Sequence, residues 1–254
     1  MILIQFLLQT IILIAIFAFA IRAVVISVRF YKSSKLSDSL FEPALTILAS
    51  ILLTIVALCI QTISHYLQGH HMFYLAAPHH GDGWMLQHKA FFALSVLQEL
   101  IVRPLWWYMC IIGIGGWLKL SLHLPRHSTY KKTVYDLLIT LASTLIPVLL
   151  VTYDNNVRYN VSQLIRVVSV VGSALLLLVA FWQASKTITP WIKQLLYIIG
   201  SWSILNSAYY LFDLWQMNRN GIALHSQANT LLICASITVQ LNIIYRLLRS
   251  VENQ

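Results

Sequence analysis

Six of the nine histidines lie between His65 and His88, in a stretch where His79, His80, Gly81, Asp82 and Gly83 follow one another. Imidazole is the commonest protein ligand for transition metals, and a carboxylate beside two imidazoles makes a set suited to zinc or copper. His79, His80 and Asp82 are the expected ligands, with His70, His71 and His88 as completions on a turn-like backbone. Neither His65 to His70 nor His71 to His79 has the i, i+4 spacing of two ligands on one helical face, and no H-E-x-x-H occurs. A proton-responsive or simply interfacial segment fits the same residues, since histidine and tryptophan are at home at a headgroup layer.

A second set of polar residues lies inside apolar stretches or at their mouths. Glu99 and Arg103 stand at i, i+4 with the acid on the N-terminal side, a favourable helical pair. Asn206, Tyr209, Tyr210 and Asp213 follow i, i+3, i+4, i+7 and so share one helical face. Arg166, at a similar expected depth, is the natural counter-ion for Asp213. Ionisable groups in a span are costly unless paired or wetted, so these seven residues are the expected ligand or proton site, rimming a cavity open to the outside. The competing expectation is structural: interhelical hydrogen bonds for the 206–213 face, and snorkelling for residues near an interface.

The elements that must position these groups follow from composition. The chain has 254 residues, 59% of them hydrophobic and only 10% charged, and a mean hydropathy of +0.75, which excludes an ordinary soluble domain. A net charge of +9 would suggest nucleic acid in a soluble protein. Here it is expected to be positive-inside bias, with the lipid bilayer and membrane-protein partners in place of nucleic acid.

A spanning helix needs roughly 20 apolar residues. The chain offers Ile2–Ile26, Ala44–Ser64, Pro104–Leu122, Val134–Tyr153, Leu164–Ala184, Ile192–Leu214 and Ala228–Leu248. The first has no basic n-region and reads as a retained anchor, not a signal peptide. Of 17 basic residues, twelve fall on alternate breaks: Arg22, Arg29, Lys32, Lys35, Lys119, Arg126, Lys131, Lys132, Lys186, Lys193, Arg246 and Arg249. Those twelve are assigned to the cytoplasm, which puts the N-terminus outside and the C-terminus inside.

The expected fold is therefore a single all-α integral membrane domain over 1–254: seven transmembrane helices, N-out/C-in, with an outer amphipathic cap over 67–103. A crossing from His88 to Leu122 would be roughly 52 Å long at 1.5 Å per residue, so 88–103 is expected to lie on the outer leaflet and the crossing to begin near Pro104. Trp106, Trp107 and Trp117 are expected to mark the two interfaces of that span. Gly113, Gly116, Gly172 and Ser173 are expected to let helices approach closely, and Pro147 to kink its helix. Cys59, Cys110 and Cys234 all fall in spans and imply no disulfide framework.

Gln98-Glu-Leu-Ile-Val-Arg103 resembles the E-E-x-x-x-R signature of the CPBP intramembrane proteases over these residues alone. The first glutamate is Gln98 here and no F-x-x-x-H element follows, so the water activation that the resemblance implies is not expected. With Gln254 five residues after Arg249, no soluble kinase or catalytic domain is expected behind span seven. Three functions remain: a metal-binding or proton-responsive membrane enzyme or sensor with an outward-facing site, a non-catalytic subunit or assembly factor of a membrane complex, and a small permease. The last is weakened because no inverted repeat is visible. The expected location is a bacterial inner (plasma) membrane.

Overall fold

A computed structural model describes residues 2–32, 38–67, 103–124, 137–143, 155–220 and 227–252. Every described element is a helix, and no strand occurs among the described residues. In chain order they are α1 (Ile2–Lys32), α2 (Asp38–Leu67), α3 (Arg103–His123), the stretch 137–143 (α4), α5 (Asn155–Lys186), α6 (Pro190–Asn220) and α7 (Gln227–Glu252). Leu40–Ile60 of α2, Leu164–Lys186 of α5 and Pro190–Phe212 of α6 are long and apolar enough to cross a membrane.

Helices are what such a sequence must form in lipid, where every backbone group has to be satisfied within its own segment. Local side chains join in. Ser27, Thr46, Thr54 and Thr238 each donate to the carbonyl four residues back, which lets hydroxyls lie in an apolar stretch at little cost. α3 begins at Arg103 with Pro104 in its first turn, where a missing N–H loses nothing. The three-residue link between α5 and α6 likewise ends at Pro190, while the Thr189 carbonyl accepts the Lys193 amide.

The surface of α5 shows which solvent the bundle is built for. Leu164, Val167, Val171, Leu175, Leu178 and Trp182 recur at helical spacing and are all exposed. The opposite face buries Ser169, Ser173, Leu176, Ala180 and Gln183. Large apolar groups outside and small or polar groups inside is the reverse of a soluble helix, and it is what packing in a bilayer favours. α1 repeats the pattern, with Ile14, Phe17, Ile21, Val24 and Val28 exposed along one side.

Six helices pack as a closed ring: α1 on α2, α2 on α3, α3 on α5, α5 on α6, α6 on α7, and α7 back on α1. One core fills it, with Phe30 from α1, Ile47 and Ile51 from α2, Trp117 and Leu120 from α3, Leu176 from α5, Leu196 and Ile199 from α6, and Leu241 and Ile244 from α7. α2 and α3 run antiparallel. Met109 meets Ser50 near their middle, and Lys119 meets Glu42 at the end where α3 finishes and α2 begins. We call this the basic end.

The glycines expected to permit close approach do so. A Cβ on Gly116 would lie 2.9 Å from Ile47 Cγ1 and 3.4 Å from the Pro43 carbonyl, and one on Gly172 would lie 3.0 Å from Ile114. Gly116→Ala should therefore push α3 off α2 and destabilise by about 1–3 kcal/mol, as overpacking does. At Gly200 a Cβ meets only the ring edge of Phe181 at 3.2 Å, which can swing away. Thermal unfolding in detergent should find Gly116→Ala clearly below wild type and Gly200→Ala within error of it. Equal losses at both sites would mean that α2 and α3 are not in close register.

Candidate functional site

The described polar groups gather in three places. The first is a cavity of about 400 Å³ between α2, α3 and α4, with Glu42 and Lys119 at the basic end and Leu53 and Met109 at the other. Lys119 is only 9% exposed, and its Nζ donates to Glu42 Oε1 at 2.9 Å. An ammonium this deep must be paired or reach an interface; here Glu42, whose side chain is 64% exposed, supplies the partner. Thr46, Ser50, Thr140 and Ser143 bring hydroxyls to its lining, and Leu45, Ala49, Leu53 and Ile112 bring apolar groups. Most of these hydroxyl protons are already used: Thr46 donates to the Glu42 carbonyl, Ser50 to that of Met109, and Ser143 to that of Ile139. Toward a ligand these hydroxyls therefore present lone pairs, and the strong donor is Lys119.

The second cluster joins α3, α6 and α7. Trp117 Nε1 donates to Gln240 Oε1 at 3.0 Å, and Gln240 Nε2 donates to Ser236 Oγ at 3.2 Å. Ser236 Oγ also accepts from Trp202 Nε1 at 2.9 Å, and the two indole rings lie 5.7 Å apart. Both buried indole N–H groups thus find acceptors, as the apolar medium demands. The third cluster joins α5 to α6: Ser203 Oγ donates to the Ser173 carbonyl and Asn206 Nδ2 to Ser173 Oγ, both at 2.8 Å. Arg22 of α1 donates to Asn242 Oδ1 of α7 where the ring closes.

Of the residues singled out from sequence, Asn206 faces α5 through Ser173, the interhelical hydrogen bond expected of that face. Tyr209 and Tyr210 are half-buried beside it, their rings edge to face at 5.2 Å. Arg166 is half-buried on α5. Arg103 opens α3 and Asp213 belongs to α6, but their side chains lie outside the described residues, as do Glu99 and the proposed metal ligands His70, His71, His79, His80, Asp82 and His88. Pro147 and residues 68–102 of the expected cap fall outside them too. Among the described residues no group of three or more His, Cys, Asp or Glu side chains is placed to hold a metal ion.

Two expectations need correction. Trp117 is not an interfacial marker: it is completely buried among the helices and hydrogen-bonded to Gln240. Lys119 is not a loop charge but a buried residue of α3. The signal for the Lys119 pair was present in Glu42, an acid just before span two on the same side as Lys119. Opposite charges at the meeting ends of consecutive helices can pair.

No protein-family model, no curated protein and no solved structure matches this chain. Fold and surface define its class: a membrane protein whose described residues are all-helical, with three helices long and apolar enough to cross a bilayer.

Proposed function

We propose that the protein is a multi-pass ligand-binding membrane protein, working as a sensor or as a subunit of a larger membrane assembly through the cavity between α2, α3 and α4. The observation that carries this reading is the cavity itself, about 400 Å³ in volume and provided with a buried cation at one end. That volume is within the usual range of ligand sites, roughly 300–1,000 Å³. The topology of the proposal has seven spans, N-out/C-in, in a bacterial inner (plasma) membrane, with the basic end cytoplasmic; the support is the twelve basic residues on alternate breaks. A permease with a path through the ring is the weaker reading, because Trp117, Leu176, Leu196 and Leu241 are fully buried in its core.

Native mass spectrometry of protein released from mild detergent tests the cavity reading. Wild type is expected to carry a bound species in stoichiometric amount, and Ala49→Trp, which fills the cavity from the exposed wall of α2, is expected to lose it while remaining folded. The same occupancy in both proteins, or none in wild type, would refute the site.

A second reading places a zinc or copper site, or a proton-responsive one, on the outer segment. It rests on the six histidines and Asp82 between His65 and His88. Protein purified without chelators should then contain one equivalent of metal, and replacing His79 and His80 together by alanine should abolish it. Wild type that carries no metal and gains none on titration removes this reading.

A further inference from the structure

The cavity has a direction, and from it we infer the class of ligand: an anionic glycerophospholipid of the leaflet at the basic end, its phosphate on Lys119 and one acyl chain running toward Leu53 and Ile112. The inference deepens the ligand-binding reading above and rests on it.

Lys119 and Met109, both lining the cavity, are ten residues apart on α3, or about 15 Å along the axis. Half of a hydrocarbon core of about 30 Å is the same length. A slot that starts at an interface and stops at the midplane matches one leaflet's acyl chain, and a compact soluble metabolite would leave its upper half empty.

The two ends of the slot differ in the same sense. Glu42 and Lys119 stand at one end and Leu53, Ile112 and Met109 at the other, and between them Thr46 and Ser50 alternate with Leu45 and Ala49 along α2. A charged end and an apolar end suit the headgroup and the tail of a lipid. The sign of the headgroup follows from the pair at the mouth. Lys119 has three N–H donors, of which one goes to Glu42. Glu42 is mostly exposed, whereas Lys119 is buried and cannot be hydrated as well. An anion that enters is therefore met by the N–H donors of Lys119 that Glu42 does not use.

Because the Thr46 and Ser143 hydroxyl protons are committed to carbonyls, the second half of the headgroup should be a donor, as the free hydroxyls of a glycerol headgroup are. The quaternary ammonium of choline donates nothing. On the proposed topology, the eleven other basic residues on alternate breaks are also on the side of this leaflet and raise the local concentration of anionic lipid.

Thermal unfolding of the full chain in a neutral detergent, with phosphatidylglycerol, phosphatidylcholine or glycerol 3-phosphate added, tests the assignment. Phosphatidylglycerol at tenfold excess over its Kd should raise the melting temperature by about 3–6 °C; the other two should leave it unchanged. Lys119→Met should lose that increment, and Arg249→Gln, an exposed cation of α7 at the same end, should keep it. Should Lys119→Met fail to fold, Ala49→Trp, which blocks the chain path, must lose the increment instead. An equal shift with phosphatidylcholine, a shift with glycerol 3-phosphate alone, or an increment that survives Lys119→Met overturns the inference. If native mass spectrometry finds a bound species that is not an anionic lipid and Ala49→Trp expels it, only the ligand class is wrong. If nothing binds and no lipid shifts the transition, the ligand-binding reading falls as well.

Discussion

Trp117→Ala should cost the folded protein about 3–5 kcal/mol, the largest loss expected from any single substitution in the bundle. Trp117 is the largest fully buried side chain described, and it stands where α3 meets α6 and α7. Two terms contribute, and their sizes differ. Removing the indole opens a void that the ring of helices cannot close, because Trp202, 5.7 Å away, is itself held by Ser236. The hydrogen bond to Gln240 adds less, since interhelical hydrogen bonds in membrane proteins average about 0.6 kcal/mol. Trp117→Phe, which keeps most of the ring, should therefore cost much less than Trp117→Ala, and Gln240→Leu should stay near 1 kcal/mol. Unfolding in mixed micelles measures all three. A Gln240→Leu loss as large as that of Trp117→Ala would show that the hydrogen bonds, not the packing, hold these helices together.

The Glu42–Lys119 pair should respond asymmetrically. Deleting the exposed partner by Glu42→Ala leaves a buried ammonium without its acceptor, a situation that costs up to about 3–5 kcal/mol and less if the lysine can snorkel to the basic end. Deleting the buried partner by Lys119→Met leaves a carboxylate that water can solvate, and the long apolar side chain fills the same space. That change should fall within about 1 kcal/mol of wild type, and the double variant should resemble Lys119→Met alone. Equal losses in the two single variants, or a double variant showing their plain sum, would contradict the burial seen for Lys119. A similar cycle applies to Arg166 and Asp213, proposed partners on α5 and α6: each single change should destabilise more than the pair of changes together.

What could be read from the chain alone was what depends on local pattern. Hydrophobic length and Pro104 put the start of a span near Pro104, and the described helix α3 runs from Arg103. The small residues Gly113, Gly116, Gly172 and Ser173 do lie at helix contacts. Period-3.6 reasoning placed Asn206 on a face turned toward protein, where it meets Ser173. What escaped were the facts that require knowing which helices are neighbours and how each is rotated. Trp117 and Gln240 are separated by 123 positions, and nothing in either local sequence announces the other. Charge counting assigned Lys119 to a side of the membrane, yet it carries no information on depth, so neither its burial nor its bond to Glu42 was visible. Closing of the ring by Arg22 and Asn242 is likewise a long-range property. The histidine segment, the densest set of potential ligands in the sequence, lies outside the described residues and remains a proposal.

The ligand cavity between α2, α3 and α4, whose basic end the proposed topology places in the cytoplasm, can be tested at one position. Thr46 lines the cavity one turn beyond Glu42. With Cys59, Cys110 and Cys234 replaced by alanine, Thr46→Cys is exposed to a membrane-impermeant maleimide in sealed right-side-out and inside-out vesicles. Labelling is expected in inside-out vesicles only, and adding Ala49→Trp should slow it severalfold by filling the space through which the reagent arrives. Labelling from the outside, or a rate that Ala49→Trp leaves unchanged, would contradict the account.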